Sequence, residues 1–285
     1  MDKKFGIVLD STVYLSEATL QEEDIEVVSL HVLEGENEYK ETDLTPDFIF
    51  EQQEAGKKFS TAQPSPESFK EAFDKQFKKG YEKLFVIVIS KGISGTYQSA
   101  LLARDAMDRA SDIHIFDTKN AGFGNELLAL ELIDLVNTNT SDQDIIKRMD
   151  QIIAKAGLFF TVENLFSLQR GGRLSKAQAL LGTVLRVKPI IRLNEEGKLK
   201  LVHKERTQKK LMHYLVKQIQ SDIGDKKKLV VRMVHQRSKD SLEELKPLLT
   251  EVFKNVKLTI TDYIGPVFSI HIGKKGFGIT WFATD

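Results

Sequence analysis

The chain has 285 residues, 41% of them hydrophobic and 29% charged, with 41 Lys/Arg set against 41 Asp/Glu. This is the composition of a globular protein long enough for two packed domains. Zero cysteines exclude disulfides, thiolate metal sites and a cysteine nucleophile. No apolar run reaches the roughly 18 residues of a membrane span, and Met1-Asp2-Lys3-Lys4-Phe5 lacks the apolar core of a signal peptide, so a cytoplasmic location is expected.

The first half alternates strand-like and helical runs. Phe5 to Asp10, Ile25 to Leu33, Leu84 to Ser90 and Ile113 to Asp117 read as strands. Helix starts are marked by Thr45-Pro46-Asp47 and Ser65-Pro66-Glu67, each a capping hydroxyl followed by Pro and an acid. Ser141-Asp142 opens another helix, running to about Ala156. Such alternation predicts an α/β domain over residues 1–156, with a mostly parallel sheet and helices on both faces.

Residues 157–285 have a different texture. Leu158 to Glu163 reads as a strand, followed by the turn Arg170-Gly171-Gly172-Arg173-Leu174-Ser175 and a helix from about Ser175 to Leu185. Pro189 to Leu193 and Lys198 to Lys204 form an expected hairpin about Asn194-Glu195-Glu196-Gly197. Further strands are expected over Leu229 to His235, Val256 to Tyr263, Val267 to Ile272 and Gly278 to Phe282, with helices near 207–221 and 239–253. The pattern predicts an α+β domain with a mostly antiparallel sheet, closely packed on the first domain, with a ligand bound between them. Charge separates along the same line. Residues 1–156 hold 17 Lys/Arg and 29 Asp/Glu, the remainder 24 and 12. The halves can attract each other, or the basic half can meet an acidic partner or phosphate. Nucleic acid is not expected, because aromatics do not alternate with the basic residues.

Three hydroxyl-rich loops fall beyond the carboxyl ends of strands, where open α/β sheets bind ligands. They are Asp10-Ser11-Thr12, Ser60 to Ser65 and Ile93 to Tyr97. In the third, Ser94, Gly95 and Thr96 stand where a helix opens, so free backbone N–H groups and two hydroxyls can receive a carboxylate or phosphate. Ser65 is explained as a helix cap, whereas Thr61 lies before the cap and its hydroxyl is free for other work. If 267–272 is a strand, Val267, Ser269 and His271 share one face, and the histidine is either structural or part of a site. Arg170, Arg173 and Arg206 suit phosphate or partner contacts, or are simply solvated.

Asp10-Ser11-Thr12, Thr61-Ala62-Gln63-Pro64-Ser65, Ser94-Gly95-Thr96-Tyr97-Gln98-Ser99-Ala100, Gly171-Gly172-Arg173-Leu174-Ser175, Lys188-Pro189, Gly265-Pro266 and His271-Ile272-Gly273 together resemble the DegV family, in order and spacing, over essentially the whole chain. The resemblance implies two α/β domains with a long-chain fatty acid buried between them. It also implies a non-catalytic carrier that presents the carboxylate to a separate ATP-dependent fatty acid kinase subunit, the acyl phosphate feeding phospholipid synthesis. Head-group contacts would fall on Thr61, Ser94, the Gly95 backbone and His271, supported by Asp10, Ser11, Gln63 and Thr96. Arg206, in the basic stretch with Lys204, matches residues near the head group and kinase surface, and Arg170 and Arg173 are candidate kinase or phosphate contacts. No cofactor beyond the bound lipid is implied, and membrane contact would be transient. Three positions depart from the pattern: Ala62 replaces a usual serine, Tyr14 a frequent Asp, and Lys274-Lys275 the common Pro-Gly.

Two other functions compete with the carrier. A serine hydrolase or acyltransferase would use Ser94, but Gly92-Ile93-Ser94-Gly95-Thr96 lacks the last glycine of a nucleophile elbow. A nucleotide-binding protein would use Gly122-Phe123-Gly124, but the third glycine of that fingerprint is missing and no P-loop occurs. The six histidines are scattered, and no metal site is expected.

Overall fold

The computed structural model describes residues 4–138, 140–162, 165–175, 187–224, 228–236, 239–261 and 263–284. The first sheet is wholly parallel. Strands β1 (Phe5–Asp10), β2 (Glu26–Val28), β6 (Lys83–Val88) and β7 (Ile113–Asp117) lie in the order β2-β1-β6-β7. Alternation along β1 and β6 sends side chains to opposite faces. Val8, Leu84, Val86 and Val88 pack under α3 (Pro66–Lys78) and α4 (Thr96–Asp105), while Ile7, Leu9, Phe85 and Ile87 pack under α5 (Phe123–Asn137) and α6 (Asp142–Ile153). Ser65 and Ser141 cap α3 and α6 by accepting from Ser68 N and Asp144 N, as their sequences predict.

The second sheet is mixed and mostly antiparallel. β8 (Gly157–Val162), β9 (Lys188–Leu193), β10 (Leu199–Glu205), β11 (Lys228–Gln236), β12 (Val256–Thr261) and β13 (Gly276–Thr284) run in the order β10-β9-β8-β13-β11-β12, with β11 and β12 alone parallel among the described pairs. One face carries α8 (Gln208–Ile223) and α9 (Lys239–Val252), whose leucines close over Val231, Met233, Ile279 and Trp281. The other face meets α5 and α6, through Phe282 and Val230. Helices α5 and α6 thus form a layer shared by both sheets, and the chain leaves α6 for β8 at Ala156.

A third, three-stranded antiparallel sheet was not foreseen. It comprises β3 (His31–Glu34), β4 (Asn37–Lys40) and β5 (Ser60–Ala62), ordered β4-β3-β5. It arises because the expected strand over 25–33 breaks at Ser29-Leu30, where Leu30 N donates to Ser11 Oγ and Leu30 O accepts from Glu41 N. After the break the chain turns away from the first sheet. Helices α1 (Glu17–Glu22), α2 (Pro46–Glu54) and α7 (Leu165–Arg170) complete the described helical framework.

One expected strand is a helix. Pro266–Ile272 forms α10, with Gly265 as N-cap and Pro266 at its first position. Proline followed by a short mixed run satisfies either period; the Gly-Pro start permits a helix, and burial of one face against neighbouring elements decides for it. Val267 and Ile270 bury against Leu30, Val32 and Ile49. Ser269, expected beside His271, instead donates to Ile264 O. The helix expected over 175–185 lies outside the described residues beyond Ser175.

Candidate functional site

Between the two large sheets lies a cavity that residues of both halves of the chain line. Its walls are mainly apolar. Ile89, Ile93 and Phe123 come from the first half, and Phe160, Leu199 and Phe268 from the second. Polar lining side chains include Thr61, Ser94, Arg173, His271 and Thr280. Thr280 is already satisfied, because its hydroxyl donates to Gly157 O at 2.9 Å. Thr61, His271 and Arg173 stand together, and Ser94 adjoins them through the Ile93 backbone. His271 Nε2 lies 2.9 Å from Thr61 Oγ1, and Arg173 Nε donates to Ile93 O, the residue beside Ser94.

Each member is held by a local feature of its sequence. Thr61 is on the edge strand β5, opposite Val32. His271 ends α10, and a side chain at Gly171 would begin 2.7 Å from its Nδ1. The glycine turn 171–172 therefore gives the imidazole room and lets Arg173 fold back on Gly171 O. Burial, and then the Arg173 charge, push His271 down to about 4, so the ring is neutral at pH 7 while no anion is beside it. A carboxylate placed there would act in the opposite direction.

The loop after β6 is more internally bonded than its sequence suggests. Ser94 Oγ lies 2.8 Å from Thr96 Oγ1 and accepts from Thr96 N at 3.3 Å. Thr96 is fully buried and supports Ser94 from behind. Ser94 pairs with Thr96, and His271 with Thr61, so the partners a hydrolytic nucleophile and base would need are each engaged elsewhere. Gly95 caps α4 without a side chain, and Gln63 lies across it: a Cβ there would meet Gln63 Oε1 at 2.1 Å. Gln63 also reaches Ser99 Oγ at 3.4 Å, joining β5 to α4. From the second half, the β9–β10 hairpin touches this loop. Ser90 Oγ donates to Gly197 O at 2.9 Å, and Gly197, at φ +72°, leaves no space for a side chain against Ser90.

Asp10 and Ser11 do not line the cavity. Asp10 accepts from Thr12 N, Thr12 Oγ1 and Ile89 N, and Ser11 Oγ donates to Glu41. Burial pushes Asp10 up to about 6 and Glu41 up to about 7. This cluster anchors Ile89 and the start of the β6 loop from below. Arg170 is exposed at the end of α7, one residue before Gly171. Lys204 and Arg206 are not among the residues that line the cavity. Lys274 pairs with Glu54 at the end of α2 and sits 5.8 Å over the Phe50 ring, tying the segment after α10 to that helix.

Sequence reasoning missed most of the apolar lining, since Ile93, Phe160, Leu168 and Phe268 look like any core residue. It also missed Glu41. Its one available signal was an acid isolated in Lys40-Glu41-Thr42, which resembles surface. No helix in the described residues is long and apolar enough to cross a membrane.

Residues 4–284 match a family model described as "Uncharacterised protein, DegV family". A DegV domain-containing protein of Listeria innocua is 31% identical over 283 residues, covering 99% of each chain. Among solved structures, a DegV family protein from Thermus thermophilus, described by its fatty acid binding, superposes with a TM-score of 0.88 at 25% identity, covering 99% of this chain and 100% of that one. A stearic-acid-binding protein from Eubacterium ventriosum superposes with a TM-score of 0.85 at 25% identity, covering 98% of each. The chain belongs to the DegV family.

Proposed function

We propose that this protein binds a long-chain fatty acid in the cavity and carries it without performing chemistry on it. The observation that carries this reading is an apolar cavity whose polar lining includes Thr61, Ser94, Arg173 and His271. Each buried CH₂ of an acyl chain gains about 0.8 kcal/mol, on the order of 10 kcal/mol gross for a long tail, before ordering and association costs. The tail therefore supplies most of the affinity. Thr61, Ser94, the Gly95 backbone and His271 orient the carboxylate and add roughly 1.5 to 3 kcal/mol per charge-assisted bond.

The carboxylate is then offered to a separate ATP-dependent kinase subunit, whose acyl phosphate feeds phospholipid synthesis. The exposed Arg170 and the Lys204–Arg206 stretch are candidate contacts for that subunit, and Arg173 for the new phosphate. Any contact with membrane lipid during loading and delivery is transient in this reading.

Mass spectrometry of the native and then the denatured, extracted protein tests the first half of this proposal. A stoichiometric long-chain fatty acid is the expected result. A protein that is empty and stays empty after incubation with a fatty-acid mixture would overturn it. For the second half, acyl phosphate should form when loaded protein, kinase subunit and ATP are combined. Arg170→Ala should slow that step with lipid occupancy unchanged.

A further inference from the structure

Glu41 opens a short 3-10 turn directly after β4 and is 2% exposed. Its carboxylate gathers donors from two segments distant in sequence. Ser11 Oγ and Tyr14 OH, the latter at 2.8 Å, reach it from the loop after β1, and Val267 N reaches it at 3.1 Å from the first turn of α10. That helix cannot cap itself. Gly265 has no side chain to offer and Pro266 has no N–H, so Val267 carries the first donor without an intrahelical partner. A remote carboxyl oxygen fills the place of the missing cap by accepting from Val267 N.

Val267 and His271 are four residues apart, on the same side of α10 and about 6 Å, just over one turn, along its axis. Both line the cavity. Tyr14 extends the bracing. It is held at φ +58°, and its ring packs against Phe123 and Phe268, two further lining residues, at centroid distances of 5.7 and 5.9 Å. Gly265 admits this ring, since a Cβ there would lie 2.2 Å from the Tyr14 ring carbons. Glu41 thus joins the first-strand loop to the helix that carries the histidine, without touching the cavity.

We infer that Glu41 is a positioning residue for the polar end of the cavity. By holding Val267 and Tyr14 it sets the pose of α10 and so the alignment of His271 with Thr61. The inference rests on the lipid-carrier reading and assigns the recognition of an ionised head group to a residue that never meets it.

The test compares affinity for stearate with affinity for its methyl ester, using delipidated full-length protein. The ester keeps the tail and removes the charge, so the ratio reports head-group alignment rather than general stability. Glu41→Ala should lower the ratio about tenfold, the equivalent of one well-formed charge-assisted bond. Glu41→Gln retains an acceptor of the same reach and should restore most of the ratio. Glu41→Asp, one methylene too short for Val267 N, should not. The His271 ring resonances should shift in the Ala and Asp variants and return in the Gln variant. A Glu41→Ala ratio equal to wild type would overturn the inference and leave the carrier reading intact. Should Glu41→Ala fail to fold, the Asp–Gln pair decides, and an Asp variant that discriminates as well as the Gln variant overturns it. Wild type that takes up neither ligand would end the carrier reading, and this inference with it.

Discussion

The loops after β1 and β6 are neighbours at the same edge of the parallel sheet and look alike in sequence: Asp10-Ser11-Thr12 and Ser94-Gly95-Thr96. The first spends its polar atoms on the protein. Asp10, Ser11 and Thr12 are at most 8% exposed, and their side chains bond to Ile89, Leu30, Glu41 and each other. The second keeps Ser94 partly open on a cavity wall, with only Thr96 behind it. Hydroxyl-rich turns at strand ends are therefore of two kinds, and the difference is whether a buried carboxylate is present to consume them. One loop fixes where the other stands, because Asp10 accepts from Ile89 N.

The sharpest way to break this comparison is Asp10→Ala. It leaves two backbone N–H groups and one hydroxyl without their acceptor in a buried place, at roughly 1 to 3 kcal/mol each where water cannot replace it. A loss of about 3 kcal/mol in urea unfolding is expected, among the larger single-site effects. The loss should depend on pH. Asp10 is raised in the folded state, so its contribution is fully present below the unfolded value near 3.8 and falls as pH rises through about 6. Wild type and variant should differ more at pH 5 than at pH 8, and a gap that widens toward pH 8 would refute the assignment. Glu41 is raised in the same direction, so the variant keeps part of the slope.

Gly197→Ala probes the contact from the other half of the chain. The position has φ +72°, and an added Cβ would fall 2.0 Å from Ser90 Oγ. A loss of about 1 to 2 kcal/mol is expected, from left-handed strain plus displacement of Ser90. Thermal melting would measure it, and Ser90→Ala in the same chain should recover the steric part. Unchanged melting in the single variant would show that the hairpin tip does not bear on the β6 loop.

Much of this architecture was legible in the sequence. Continuous apolar runs such as 84–90, and the Thr-Pro-Asp and Ser-Pro-Glu starts, specify both sheet and helix without tertiary help. The polar group was legible too, in that Thr61, Ser94 and His271 all line one cavity. What could not be read is what tertiary contact decides. Residues 25–33 look like one strand, but Ser11 and Glu41 capture the backbone at Leu30 and split it between two sheets. Residues 267–272 fit either period, and burial of Val267 and Ile270 under α2 and β3 settles them as helix. Lys204 and Arg206 follow a basic pattern in sequence, and neither is among the cavity-lining residues.

On the other side of the comparison, Ser94→Ala should cost about 1 kcal/mol of stability, well below Asp10→Ala, because among the bonds seen its hydroxyl serves only Thr96. Its expected effect is on binding: a roughly five- to tenfold weaker affinity for an ionised long-chain acid, with the methyl ester unaffected. A stability loss as large as that of Asp10→Ala would erase the distinction between the two loops.

The smallest effect, and the most diagnostic of what sits in the polar group, is the titration of His271. Without ligand its ring should titrate near 4, held down by burial and then by Arg173. That leaves it neutral at physiological pH, and its protonation on acidification destabilises the fold as pH falls from 6.5 toward 4. A bound carboxylate beside the ring reverses the electrostatic balance and favours the charged form, so the titration midpoint followed by NMR should move upward on loading with a fatty acid. The methyl ester should not move it. An upward shift with the acid alone places the head group at the Thr61–His271 pair. No shift with either, at full occupancy, would place the carboxylate elsewhere along the cavity and leave Ser94 as the better candidate for its contact.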